Sequence, residues 1–313
     1  MDCRSPFLFG DMKKALVVIG VVLVGLYVGV GWFFANLVID SPTSELRPLD
    51  EYVAEEIPDI QFEDVIQASV ESADTTQIAT TLFDNAADGD CAVIFLHGYT
   101  GHRYSQLEYI PMFWERGCDA VVYDARGHGE SDDAFHTFGF YEKEDANAVI
   151  EWVMETRGLS AEQIGLMGSS YGAAGALQTL FLRDDLAFII ADSSYQDMET
   201  IVVHQGQQQF GDVVNPFVPM AVAIAELRAN MEFDDVSPQD AVVGKETPLL
   251  LLHIRDDAYT PALHSQVIAN AASSPELVIT AWAERHGTPF HGNQEGYEEI
   301  IALFLEMSVP TFR

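Results

Sequence analysis

Residues 168–172 read Gly-Ser-Ser-Tyr-Gly, between the apolar run "QIGLM" and the small-residue stretch "GAAGAL". Glycines flanking a serine at this spacing suit neither a strand interior nor a helix interior, where each costs about 0.5–1 kcal/mol relative to alanine. They suit a crowded turn from a strand into a helix. Such a G-x-S-x-G turn lifts its central hydroxyl above a sheet, at a helix N-terminus whose partial positive charge favours a developing anion. The central residue is Ser170, the candidate nucleophile; Ser169 holds the variable position and reads as packing.

A serine hydroxyl attacks a carbonyl only when an oriented base takes its proton. In chains of this kind the acid and the base follow the serine, in that order, at later strand ends. After "TPLLLLH" (247–253) the chain runs Ile254-Arg255-Asp256-Asp257, and after "ELVITAW" (276–282) it runs Ala283-Glu284-Arg285-His286-Gly287. The oxyanion of an acyl transfer also needs backbone N–H donors. Tyr171, directly after the nucleophile, supplies one; Tyr99, just past the run "CAVIFL" and the turn His97-Gly98, supplies the other.

The elements that would position these residues can be read from the apolar rhythm. "DVIQASV" and "TQIATTLF" read as an opening pair of strands. Short apolar runs at 91–96, 119–123, 163–167, 186–191, 247–253 and 276–282 then alternate with helix-period segments near 103–116, 140–157, 171–183, 262–273 and 293–308. Strands apolar on both faces and separated by helices predict an α/β chain with a mostly parallel sheet covered by helices. Ligands then bind beyond the carboxyl ends of the strands. Residues 193–246 break the rhythm with apolar helical stretches and no clear strand, as a small helical cap insertion would.

Ahead of this domain, Ala15 to Ile39 is free of charge for 25 residues, more than the ~20 needed to cross a bilayer and longer than the apolar region of a cleaved signal. Arg4, Lys13 and Lys14 precede it, and Trp32, Phe33 and Phe34 lie near its far end. The positive-inside rule predicts a single-pass anchor with residues 1–14 cytoplasmic and the rest extracytoplasmic; secretion after signal cleavage is the alternative. Residues 40–59, with three prolines, read as a stalk, leaving 60–313 as the domain. The chain carries 49 acidic and 15 basic residues, for a net charge of −34. That balance repels phosphate backbones and speaks against nucleic acid as a partner. Only four of the bases are lysines, a composition suited to high salt, though an acidic exported protein has the same look. Cys3, Cys91 and Cys118 have no metal-binding spacing and read as small buried hydrophobes. Cys91 and Cys118 each precede a strand end, at His97 and Asp124, by six residues, so neighbouring strands would place them side by side.

Together "LHGYTGHRYSQ", "VVYDARGHGESD", "GSSYGAAGAL", "ADSSYQDMETIV" and "HIRDDAYTP" resemble the α/β-hydrolase superfamily, and within it the bacterial serine-aminopeptidase-like or prolyl-oligopeptidase-like hydrolases. The resemblance covers roughly 60–308 and implies the α/β-hydrolase fold. The family's acid stands four residues before a proline; Asp257 has that spacing to Pro261, with Thr260 where the family has valine, and Asp256 becomes a solvated neighbour. The family's base maps to His286, eleven residues before Tyr297, with Arg285 departing from the usual glycine or glutamate; His291 is the rival. His97 and His128 fall in structural turns, and Asp124 with Arg126 reads as a loop-holding ion pair. The resemblance therefore implies a serine hydrolase with Ser170, Asp257 and His286 and no metal or organic cofactor. Phe138, Phe140 and the apolar insertion suggest a hydrophobic acyl pocket and a small carboxylic ester substrate. A serine peptidase or amidase acting on small peptides is the alternative, and a non-enzymatic scaffold the third.

Overall fold

The computed structural model describes residues 7–40, 46–85, 90–283, 285–309 and 312. The helices are α1 (Phe7–Ile39), α2 (Leu49–Glu56), α3 (Pro111–Trp114), α4 (Glu142–Arg157), α5 (Tyr171–Gln178), α6 (Met198–Phe210), α7 (Val218–Ala229), α8 (Pro238–Ala241), α9 (Leu263–Ala271), α10 (Pro289–Gly292) and α11 (Gln294–Ser308). The strands are β1 (Val65–Glu71), β2 (Gln77–Phe83), β3 (Ala92–Leu96), β4 (Asp119–Tyr123), β5 (Ile164–Ser169), β6 (Phe188–Asp192), β7 (Leu249–Ile254) and β8 (Pro275–Thr280). They form one sheet in the order β1-β2-β4-β3-β5-β6-β7-β8. β1 and β2 are antiparallel to each other, β2 is antiparallel to β4, and every other pairing is parallel.

The chain divides into two compact units, one of 40–201 and 232–313 and one of 1–39 and 202–231. The first holds the sheet. Its strands alternate sides as their pleat requires: Ala92, Ile94 and Leu96 of β3 join one apolar cluster, Val93 and Phe95 the other. α5 is small or apolar except for Gln178, and every residue in it is buried, which lets it lie close against the sheet. The 40–59 stalk expected from sequence is not free chain where it is described. Leu49–Glu56 is helical, and Tyr52 and Ile57 enter the same cluster as Phe95. One buried side chain in an eight-residue helix gives too little periodicity to be read. Residues 41–45 lie outside the described residues, as do residues 1–6 of the expected cytoplasmic 1–14 segment.

The second unit is helical. α1 contains an apolar stretch, Met12–Ile39, long enough to cross a membrane. Residues 202–231 contribute the end of α6, a 3-10 turn at Asp212–Phe217, and α7. The insertion between β6 and β7 is thus mainly helical, as the missing strand rhythm implied.

Cys91 and Cys118 are disulfide-bonded, with their Cα atoms 4.7 Å apart. Parallel pairing of Ala92 with Asp119 sets the two preceding residues side by side. The bond closes a loop with a sequence separation of 27. Loss of chain entropy in the unfolded state then contributes about 3–4 kcal/mol. Reduction should lower the free energy of urea unfolding by that amount, and an unchanged midpoint would show that the bond constrains nothing.

Candidate active site

The glycines around Ser170 are there because nothing larger fits. A Cβ on Gly168 would lie 2.4 Å from the Gly172 backbone, and one on Gly172 would lie 2.2 Å from the Leu96 carbonyl oxygen at the end of β3. The turn therefore packs backbone against backbone, between β5 and α5, directly over β3. Ser170 itself has φ 54° and ψ −113°, in a sparsely populated region. Its N–H donates to the Asp192 carbonyl at 2.7 Å, which ties the turn to the end of β6.

The side chains that the sequence singled out meet here. His286 Nε2 is 2.7 Å from Ser170 Oγ, and His286 Nδ1 is 2.6 Å from Asp257 Oδ2. Asp257 Oδ1 accepts the backbone N–H groups of Tyr259 and Thr260, each at 2.9 Å. Burial works to raise the Asp257 pKa, but the bond and charge of His286, the Thr260 N–H and nearby His253 together outweigh it and hold the carboxyl below its usual value. Asp256 is exposed while Asp257 is buried. His291 does not join the serine: it is exposed and stands 3.4 Å from Glu108. Ser169, beside the nucleophile, lines the cavity with Tyr109.

His97, Gly98 and Tyr99 pass directly beside the nucleophile, where a Cβ on Gly98 would be only 3.8 Å from Ser170 Cβ. His97 holds that turn. Its Nε2 accepts the Ala125 N–H at 3.0 Å, so Nδ1 carries the proton and donates to the Gly98 carbonyl at 2.8 Å. Burial, with His128 nearby, pushes the His97 pKa down to about 3 and keeps the ring neutral. A cavity of about 700 Å³ opens over Ser170 and His286, lined among others by Tyr99, Tyr109, Tyr259 and Glu108. Phe138 and Phe140 are not part of its lining. Phe138 packs instead on His136, Tyr171 and Tyr195.

Asp124 and Arg126 do not pair with each other. Asp124 bonds Arg103, and Arg126 forks onto Asp145 at 2.6 and 2.7 Å. The partners lie about twenty residues away, so no local pattern announces them.

Three groups escaped the sequence reading. Glu142, fully buried, accepts from the Thr137 N–H and hydroxyl, the Gly139 N–H and the Tyr171 hydroxyl at 2.6–2.7 Å. It thereby braces the first residue after the nucleophile. His253 is buried at 3.7 Å from the Asp257 carboxylate, held by Ser265 and by the Thr260 carbonyl. Asp192 pairs in register with Ser169 and accepts from Tyr297 at 2.9 Å and Ser193 at 2.8 Å. It ends the apolar run "LAFIIA", so the strand-end rule that found Asp257 points to it too.

The model of the X-Pro dipeptidyl-peptidase (S15) family matches residues 46–285, from ahead of β1 to the residue before His286. The chain belongs to that family. It is accordingly a hydrolase of the serine type on the α/β-hydrolase fold, as the sequence resemblance implied. The Bacillus subtilis protein YqkD, uncharacterized, is 26% identical over 94% of this chain and 98% of its own length. Among solved structures, the Pyrococcus furiosus esterase Pf2001 is 20% identical, with a TM-score of 0.67 over 87% of this chain and 98% of that one. The Pyrococcus horikoshii acylaminoacyl peptidase is 17% identical, with a TM-score of 0.60 over 82% of this chain and 44% of that one. At such identities these two structures speak to the fold of this S15-family chain.

Burial pushes the Asp192 pKa up to about 6, from 3.8. The unfolded chain therefore loses this proton first as pH rises. The stability that Asp192 contributes is full below about pH 4 and is lost as pH climbs through 6. Relative to wild type, Asp192→Asn should gain in thermal midpoint between pH 4 and pH 7. A constant offset across that range would mean that the carboxyl ionises as easily in the fold as out of it.

Proposed function

We propose that this chain is a membrane-anchored hydrolase that cleaves carboxylic esters through an acyl-enzyme on Ser170. The observation that carries the reading is the hydrogen-bond path from Ser170 through His286 to Asp257 at the floor of an aromatic-walled cavity. His286 Nε2 takes the hydroxyl proton as Ser170 Oγ attacks the carbonyl carbon. Asp257 keeps Nδ1 protonated and stabilises the imidazolium that forms. The amides of Tyr99 and Tyr171 receive the oxyanion, each worth about 3–4 kcal/mol to the transition state. His286 then protonates the departing alkoxide, activates a water and regenerates Ser170 as the acid leaves. These steps use only the chain's own groups.

Two observations support the anchor and an extracytoplasmic catalytic unit. The apolar side chains of 12–26 are all exposed, as a lipid-facing helix requires, while Ala35 and Ile39 at its far end are buried. The Cys91–Cys118 bond belongs to an oxidising compartment. One feature favours a second reading, a peptidase acting on small peptides. Glu108 lines the cavity, where a carboxylate suits a peptide ammonium group, and the family's name points the same way.

The test is a panel of p-nitrophenyl acyl esters against aminoacyl and X-Pro p-nitroanilides, with three variants. Esters should turn over at least tenfold faster than anilides, and the opposite ranking would hand the site to peptides. Ser170→Ala and His286→Ala should each lower kcat by a factor of roughly 10³ or more, while His291→Ala leaves it within about threefold. A collapse in His291→Ala with activity kept in His286→Ala would reassign the base.

A further inference from the structure

The anchor helix is not bare along its length. Within its own compact unit, α7 packs against the last third of α1. The Tyr27 hydroxyl donates to the Pro216 carbonyl at 2.9 Å, and its ring lies 5.6 Å from that of Phe217. Phe34 packs on Phe210 at 5.1 Å and on Phe217 at 6.2 Å. Met220 fills the place a side chain on Gly31 would take, its Cγ 2.3 Å from the position of a Cβ there. The Arg228 guanidinium lies 4.7 Å over the Trp32 ring and bonds Asn36. Contacts ascend together along both helices, so α7 runs parallel to the end of the anchor. The turn 211–217 lies at the inward end of the contact and Arg228 at the outward end.

Placing this unit in a bilayer needs only helix geometry. Counting about 20 residues at 1.5 Å from the last lysine of the N-terminal flank reaches Phe34. Tyr27 then lies about 10 Å beneath the outer edge of the hydrocarbon, and Asn36 just beyond it. α7 therefore starts among acyl chains and ends at the headgroups, with Arg228 and Trp32 at the level where arginine and tryptophan collect. The side of α7 turned away from α1 agrees. Pro219, Ala223 and Leu227, four residues apart, are all exposed, and none is polar. Leu227 is 83% exposed, and Val213 in the turn is 71% exposed. In water such a stripe has no purpose; in lipid it continues the apolar surface of α1. Asp212 in the turn and Gln207, Gln208 and Gln209 on α6 set the limit. They keep the hairpin at the boundary between headgroups and acyl chains instead of letting it cross.

We propose that residues 202–231 form a membrane-interface element seated in the outer leaflet along the anchor. This rests on the reading of an anchored chain, so the experiment reads the anchor and the interface element separately, on the full chain in phosphatidylcholine vesicles.

An environment-sensitive fluorophore is placed at Val213→Cys, Leu227→Cys, Val24→Cys or Glu162→Cys, each in Cys3→Ser, and quenched by nitroxide-labelled lipids. Position 227 should be quenched by shallow nitroxides, 213 by nitroxides part-way down the acyl chain, 24 by the deepest ones, and 162 by none. Quenching at 24 without quenching at 213 and 227 overturns the interface element and leaves the anchor standing. No quenching at any position overturns both.

Discussion

One residue of strained backbone organises this molecule. Ser170 at φ 54° costs about 1–3 kcal/mol, and it persists because the surroundings leave no alternative. Gly168 and Gly172 touch backbone, β3 ends beneath them, and the Ser170 N–H is held by the end of β6. The turn projects the hydroxyl from the carboxyl edge of the sheet, where the loops after β3, β7 and β8 converge. Widen the turn by one methyl group and the hydroxyl loses its place relative to His286.

A second constraint is charge. With 49 acidic and 15 basic residues, each buried cation has to serve more than one carboxylate. Arginine does this with its planar fork. Arg103 bridges Asp124 and Glu130, Arg126 bridges Asp74 and Asp145, Arg157 bridges Asp84 and Asp119, and Arg183 bridges Glu151 and Asp185. Two of these, Arg103 and Arg126, hold the loop after β4, which in turn carries the Ala125 N–H that fixes the His97 tautomer. The electrostatics of the surface and the geometry of the oxyanion turn are thus connected through a few side chains.

Much of this was legible in the chain. Strands β3 to β8 coincide with apolar runs and β1 and β2 with the opening extended pair, and β3 to β7, covered on both faces, leave no ambiguity of pattern. The serine, carboxylate and imidazole follow from a rule of position, the residue after a strand end, and the structure brings Ser170, Asp257 and His286 within hydrogen-bond reach. What stayed hidden depends on contacts distant in sequence. The separate partners of Asp124 and Arg126, the seat of Tyr52 in the core and the support from Glu142 each join segments with no shared periodicity. The disulfide lay between these cases: the strand offsets allowed it, but only the parallel register of β3 with β4 brings the two sulfurs together. The packing of α7 along α1 was invisible for a related reason, since both segments are mostly apolar and one gives no register for the other.

The central claim is that the strained hydroxyl, and not its neighbour, is the reactive one. Peptide mapping by tandem mass spectrometry after treatment of the folded, disulfide-intact protein with a fluorophosphonate measures this directly. The account requires a single phosphonyl adduct on Ser170, formed in seconds to minutes and absent after heat unfolding. An adduct on Ser169, or none on the folded chain, would contradict it.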